Sequence, residues 1–204
     1  MKMTLTLTSL LIFSSHAFSF ENTLSDKKVE GVSISDQVTL KTFNGLILKS
    51  VASGLRTKKV AFLNFNVYVA ELLLPASTTW DQKSVTFENS QSAAVMMTFL
   101  REVPAKNISE AFSDGLKKNK VDINTEALQQ FLKKVTSLGD IKKGEVLIIA
   151  RNQTDSADQL LIQIPPRFSE VVSSNEKWTT SVLKIWSGEP ADSGITALQK
   201  ILFK

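Results

Sequence analysis

Cysteine is absent from this chain of 204 residues, and there is a single histidine, His16. His16 lies in a leader-like opening stretch, so a chain cleaved behind it would hold neither residue. Without His or Cys a protein cannot build a Ser-His-Asp triad, a cysteine nucleophile or a zinc site from the usual ligands. Disulfides are excluded as well, and stability must rest on a hydrophobic core. No GxGxxG, P-loop or EF-hand pattern is present, so neither a metal nor a cofactor is expected. Chemistry is left to Arg, Lys, Tyr, Asp, Glu, hydroxyls, amides and ordered water.

Long apolar runs are also missing. The opening "MKMTLTLTSLLIFSSHAFSFEN" has Lys2, an apolar stretch from Met3 to Phe13 and a small-residue site at Ser15-His16-Ala17. That is the layout of a secretory signal peptide with cleavage after Ala17. About ten apolar residues interrupted by threonines fall well short of the roughly 20 that span a bilayer. We therefore expect a leader at residues 1–17, a single domain at 18–204 and a periplasmic or secreted protein with no membrane span. A chain of this size buries roughly 70% of its unfolded surface.

The formal net charge is only +4. The basic doublets Lys58-Lys59, Lys117-Lys118, Lys133-Lys134 and Lys142-Lys143 lie in separate segments, as a solvated surface has them. No nucleic-acid partner is expected.

From Val29 to Val51 the pattern is short and β-like, with Phe43-Asn44-Gly45 as a hairpin signal. Gly54 offers an unusual backbone angle just before Arg56. Val60 to Leu74 reads as one long strand closed by Pro75, and residues 92 to 100 as another. Asn107 is a candidate cap for a helix with Ile108, Ala111, Phe112, Gly115 and Leu116 on one face, which continues to Asn119. Asn124 would cap a second helix, ended by Gly139. Residues 144 to 164 read as two strands, Asn175 to Trp186 as a third helix and Ile195 to Leu202 as a fourth. Strands first, inserted helices and a returning hairpin give an α+β domain with an antiparallel sheet.

One stretch is chemically odd: "SGLRTKKVAFLNFNVYVAELLL", Ser53 to Leu74. It sets Arg56 twelve residues ahead of Tyr68, the chain's only tyrosine. Strict alternation would place Phe62, Asn64, Asn66, Tyr68, Ala70 and Leu72 on one face. Two amides and a phenol among apolar residues suit a ligand-lined pocket, and equally a half-solvated sheet face. Arg56 by itself also fits a surface arginine paired with a carboxylate. Trp178, Trp186, Met96 and Met97 read as core packing.

The segments "GLRTKK", "VYVAELLL", "MTFLREV" (97–103), "LKIWSGEP" (183–190) and the terminal "LQKILFK" occur in an order that resembles the chalcone isomerase-like family, most of all its bacterial exported members. The likeness runs from about Val29 to Lys204. It implies an open-faced β-sandwich, a large antiparallel sheet with a layer of helices on one side and a cleft between.

By resemblance, Arg56 matches the cleft arginine of the plant enzymes, and Tyr68 stands where they carry a threonine. An Arg and a Tyr at these places are similar to the pair with which the fatty-acid-binding members hold a carboxylate. Phe112 occupies the position of the catalytic tyrosine, Asn119 that of an asparagine seven residues on, and Thr179 that of a substrate-contacting hydroxyl. Two helical turns separate Phe112 from Asn119, so both should face the cleft. With the threonine and tyrosine hydroxyls replaced, chalcone cyclisation is not expected.

The candidate ligand site is therefore Arg56, Asn66, Tyr68, Phe112, Asn119 and Thr179, for a small amphipathic carboxylate such as a fatty acid. Two other functions are open at this point. One is an isomerase or intramolecular lyase on an enone, with Arg56 as electrophile. The other is an accessory protein acting through its outer surface.

Overall fold

Near-continuous apolar runs in the central strands call for a sheet covered on both faces, and the computed structural model, which describes residues 20–204, has one. The leader expected at residues 1–17 lies outside the described residues. Eight strands, β1 (Phe20–Val29), β2 (Val32–Leu40), β3 (Leu46–Val60), β4 (Leu63–Pro75), β5 (Ser92–Phe99), β6 (Val146–Gln153), β7 (Asp158–Ile164) and β8 (Phe168–Ser174), pair antiparallel in chain order. Five helices interrupt this meander: α1 (Ser84–Asn89), α2 (Ala105–Lys118), α3 (Glu126–Thr136), α4 (Thr179–Ser187) and α5 (Ser193–Leu202). The fold is the expected α+β open sheet with a helical layer.

Each face of the sheet has its own core. Leu72, Val95, Ile149 and Ile162 meet Phe112, Phe131 and Leu183 from the helices. On the other face, Val38 and Leu40 of β2 join Ile148 of β6 and Leu161 of β7 in one cluster. Strands so distant in the order can share a cluster only if the sheet coils and brings its first strands back over the far side, the result of accumulated twist.

Buried in that far side is Glu71, which accepts hydrogen bonds from the Ser35 backbone N–H (2.8 Å) and hydroxyl (3.4 Å). Burial pushes its carboxyl above the usual value, and the bonds from Ser35 and Ser50 only partly counter this. The folded chain therefore holds this proton to higher pH than the unfolded chain does, and unfolding in that window releases it. Stability contributed by the neutral carboxyl is full below the ordinary carboxylate pKa and is lost as pH rises through the raised one. Urea unfolding across that range should show wild type losing stability relative to Glu71→Gln, the two curves converging in acid; parallel curves would refute it.

Several element boundaries differ from the sequence reading. The stretch read as one strand from Val60 is the end of β3, a two-residue turn at Ala61-Phe62, and β4. Ala61 takes φ +53 there without the glycine or asparagine that normally marks such a turn. The edge strand β8 went unread because Val172 is its only buried residue, which leaves no periodic signal. Pro104, not Asn107, stands at the N-cap of α2, and Thr125, not Asn124, at that of α3.

Helix α4 starts at Thr179 rather than Asn175, because its cap comes from elsewhere in the chain. Asp158 accepts from the backbone N–H groups of Trp178 (2.6 Å) and Thr179 (2.9 Å). Gly54 has no unusual backbone angle. It is small because α5 crosses it, so that a Cβ would meet Leu198 Cδ1 at 3.0 Å and Ile201 Cγ2 at 3.1 Å.

Candidate functional site

The twelve-residue spacing of Arg56 and Tyr68 is a hairpin spacing. With the turn at Ala61-Phe62, β3 and β4 pair outward through Val60↔Leu63, Lys59↔Asn64, Lys58↔Phe65 and Thr57↔Asn66, and then Arg56 pairs with Tyr68. Val67 is skipped, a bulge that inserts one residue into β4. A bulge shifts the side-chain alternation by one. Before it, Phe65 and Val67 face the helices; after it, Tyr68, Ala70 and Leu72 do.

This corrects the expectation for Asn66, which strict alternation had placed with Tyr68. Asn66 is exposed, and its side-chain amide donates to Glu30 Oε2 at 3.0 Å.

The helix-facing side of β3 to β6 forms one wall of a cavity of about 640 Å³, with α2, α4 and the start of α5 as the other wall. That size suits a drug-sized ligand. Its interior is mostly apolar, with Met97, Phe99, Leu147, Ile108, Phe112 and Ile185 among the lining residues. Lys58, Arg101, Glu102, Glu110 and Asp114 also line it.

Arg56 is only 7% exposed. Its Nη2 donates to Asp192 Oδ2 at 2.6 Å, while Nη1 is buried with no hydrogen-bond partner. Asp192 also caps α5, where its Oδ1 accepts from the N–H groups of Gly194 (2.9 Å) and Ile195 (3.0 Å). The first turn of α5 thus sits directly on the arginine. A Cβ at Gly194 would overlap the Thr57 carbonyl oxygen and Arg56 Nη1, so only glycine allows this approach.

Beside Arg56, the half-buried Tyr68 accepts a hydrogen bond from the indole N–H of Trp186 (3.1 Å), and its ring packs at 5.5 Å from that of Phe99. With the hydroxyl oxygen accepting from Trp186, the phenolic proton remains available to a second acceptor. Burial raises the Tyr68 pKa above 10, although the charge of Arg56 and the indole pull it the other way. The phenol therefore stays protonated at neutral pH, as a donor.

Arg56, Tyr68 and Phe112 are thus brought together on the cavity wall. Asn119 and Thr179 are not. Helix α2 ends at Lys118, and Asn119 turns away as its C-cap; its side chain donates to the carbonyls of Gly115 (2.9 Å) and Glu189 (3.1 Å) and accepts from Glu189 N–H (2.8 Å). Its amide joins α2 to the loop after α4. Thr179 is wholly buried at the start of α4, its hydroxyl donating to Asp158 Oδ1 at 2.6 Å. The α4 residues that reach the cavity, Ile185 and Trp186, come more than a turn later.

Asp192 and Trp186 were missed as site residues. Asp192 carried a usable signal, an N-cap aspartate followed by Ser193-Gly194-Ile195. Trp186 had none beyond its place in a core-facing stripe. Among the described residues no cluster of three or more His, Cys, Asp or Glu side chains is arranged to hold a metal ion, and no helix is long and apolar enough to cross a membrane.

A family profile described as chalcone isomerase-like matches residues 26–198. No curated protein matches the chain by sequence. Among solved structures, it is similar to that of a fatty-acid binding protein from Arabidopsis thaliana, with a TM-score of 0.57 at 15% identity over 90% of this chain and 100% of the plant one. At that identity the likeness is one of fold.

Proposed function

This chain belongs to the chalcone isomerase-like family, and we propose that it is an exported, noncatalytic binder of a small amphipathic carboxylate such as a fatty acid. The observation that carries the reading is Arg56, nearly buried and register-paired with a protonated tyrosine on the wall of an apolar cavity. A carboxylate offers a guanidinium charge-assisted bonds that a neutral group cannot match. Tyr68 adds a donor while its ring supports the first carbons of the tail. The plant neighbour, described as a fatty-acid binding protein, supports the choice of ligand class.

An isomerase reading has less to work with. Phe112 presents no hydroxyl to the cavity, and burial raises the Tyr68 pKa, so the phenol stays protonated at neutral pH and is not available as a general base.

Calorimetric titration of periplasmic protein, whose intact mass should begin near Phe18, tests the proposal. A saturated fatty acid should bind at least tenfold more tightly than the primary alcohol of equal length. Tyr68→Phe should weaken the acid by about 0.5–1.5 kcal/mol, the usual worth of one hydrogen bond. Equal affinity for acid and alcohol would overturn the reading.

A further inference from the structure

The β3–β4 hairpin outruns the sheet. Strand β2 pairs with β3 only over residues 46–49, and β5 with β4 only over residues 68–73. From Thr57 to Asn66 the hairpin is therefore a two-stranded ribbon with no further strand paired to it among the described residues, and the β1–β2 turn meets it only where Asn66 donates to Glu30. Its tip breaks the usual rule for turns. Instead of glycine and polar residues it carries Ala61 at φ +53 and then Phe62, 92% exposed, between Val60 at 54% and Leu63 at 60%. Exposed apolar residues concentrated at one tip mark an interaction surface.

Directly paired residues of an antiparallel ribbon share a face, as do residues two apart. Lys58, Val60, Leu63 and Phe65 therefore lie on one face, and three of them, Lys58, Val60 and Phe65, line the cavity. The apolar strip from the tip runs without a break into the cavity. The flanks are cationic: Lys58 and Lys59 sit on opposite faces, and Arg101 stacks on the Phe65 ring at 4.7 Å. Among the described residues none of these three cations has an acidic side chain within ion-pair distance.

Of the acidic lining residues, Glu102 is held by Lys142 (2.6 Å) and Glu110 by Lys106 (3.8 Å), while Asp114 on α2 has no cation within ion-pair distance among the described residues. An anionic surface would attract the ribbon through its three unpaired cations.

We infer that the β3–β4 hairpin tip docks on an anionic phospholipid surface, with Phe62 and Leu63 entering the headgroup layer and Lys58, Lys59 and Arg101 meeting the phosphates. The cavity mouth then opens at the membrane, and a lipid chain can move along the Val60, Leu63 and Phe65 strip without crossing water. This route rests on the cavity being a lipid-chain site; the docking itself does not. A narrow apolar point flanked by lysines suits insertion into headgroups, whereas a protein partner would have to offer a matching pocket.

Cosedimentation of the full protein with vesicles of phosphatidylcholine alone, or mixed with phosphatidylglycerol, tests the inference. Wild type should partition onto the mixed vesicles, and this should weaken with added salt. Phe62→Ser should lower it about tenfold, the low end of burying one such side chain. Replacing Lys58 and Lys59 by glutamine should lower it about fivefold for each lysine, which corresponds to about 1 kcal/mol per basic residue at such a surface.

Calorimetric titration of Phe62→Ser with free palmitate serves as the control for folding and should match wild type, since Phe62 does not line the cavity. Wild type that takes up palmitate but ignores every vesicle overturns the docking and leaves the ligand reading intact. Wild type that binds vesicles through Phe62 and takes no palmitate overturns the ligand reading and not the docking. Vesicle binding unchanged in both tip variants, or found only with a protein partner, also overturns it.

Discussion

Arg151→Met should destabilise the fold by about 3–5 kcal/mol, because it strips several buried acceptors of a charged donor, each at about 1–3 kcal/mol. For a domain of this size that lowers Tm by roughly 6–20 °C. Arg151 is the largest of the fully buried side chains, and the reason lies in helix α1. Six residues are too few for a helix to stand alone, and its last carbonyls have no partner within it. From β6, Arg151 supplies them: Nη1 donates to Glu88 O (2.9 Å) and Nη2 to Phe87 O (3.1 Å) and Ser90 O.

A further bond from Nη1 to the Thr180 hydroxyl (2.7 Å) ties the same guanidinium to the start of α4. Burial lowers its pKa to about 10, against the pull of Asp158 and Glu88, so it is still charged at neutral pH. Methionine keeps the volume but leaves several buried acceptors bare, each at a cost of about 1–3 kcal/mol. Lysine cannot rescue it, because one ammonium does not reproduce the planar fork. Urea unfolding of the variant measures this, and a loss below about 1 kcal/mol would show that the carbonyls find other donors.

Arg56→Met should weaken binding of a fatty acid by about 1.5–3 kcal/mol, the value of hydrogen bonds to a charged group. That is a loss of roughly 10- to 150-fold. The variant should fold, because Asp192 loses one partner but still caps α5 through Gly194 and Ile195. Asp192 is also the carboxylate that a ligand would have to share the guanidinium with. Asp192→Asn keeps an effective cap and removes that competing charge, so it should bind the fatty acid more tightly than wild type. Calorimetry on both variants separates the two roles of the arginine. Were Arg56 only a structural ion-pair partner, its removal would leave affinity unchanged, and Asp192→Asn would lower stability without raising affinity.

Both side chains show where reading the chain alone stops. Arg151 sits in "LIIARNQ", which reads correctly as a strand, but nothing local says that its fork will close a helix sixty residues upstream. The same holds for Asp158, which caps α4 across the sheet. Caps supplied from another element leave no mark beside the helix they serve, and the starts of α2, where Asp140 accepts from the Ala105 N–H (2.9 Å), and of α4 were misplaced accordingly.

The residue pattern was enough to establish the class of protein. Alternation and helical stripes settle an α+β domain with an antiparallel sheet, because burying apolar faces is a local demand repeated along the chain, while the helical layer on one side was implied by the family resemblance. The absence of Cys, and of His beyond residue 16, bounds the chemistry in the same direct way. The pairing of Arg56 with Tyr68 was legible as a spacing but not as a geometry, since the turn at Ala61-Phe62 lacks the residues that announce turns. The rest of the site was settled by packing in three dimensions. A single inserted residue, Val67, moves Asn66 out and Tyr68 in, and the end of α2 one residue early takes Asn119 away. The close approach of Gly194 brings Asp192 onto the arginine from 136 residues away. Register, helix ends and long-range contacts are set by packing over the whole domain, and a pattern of residue types along the chain does not encode them one position at a time.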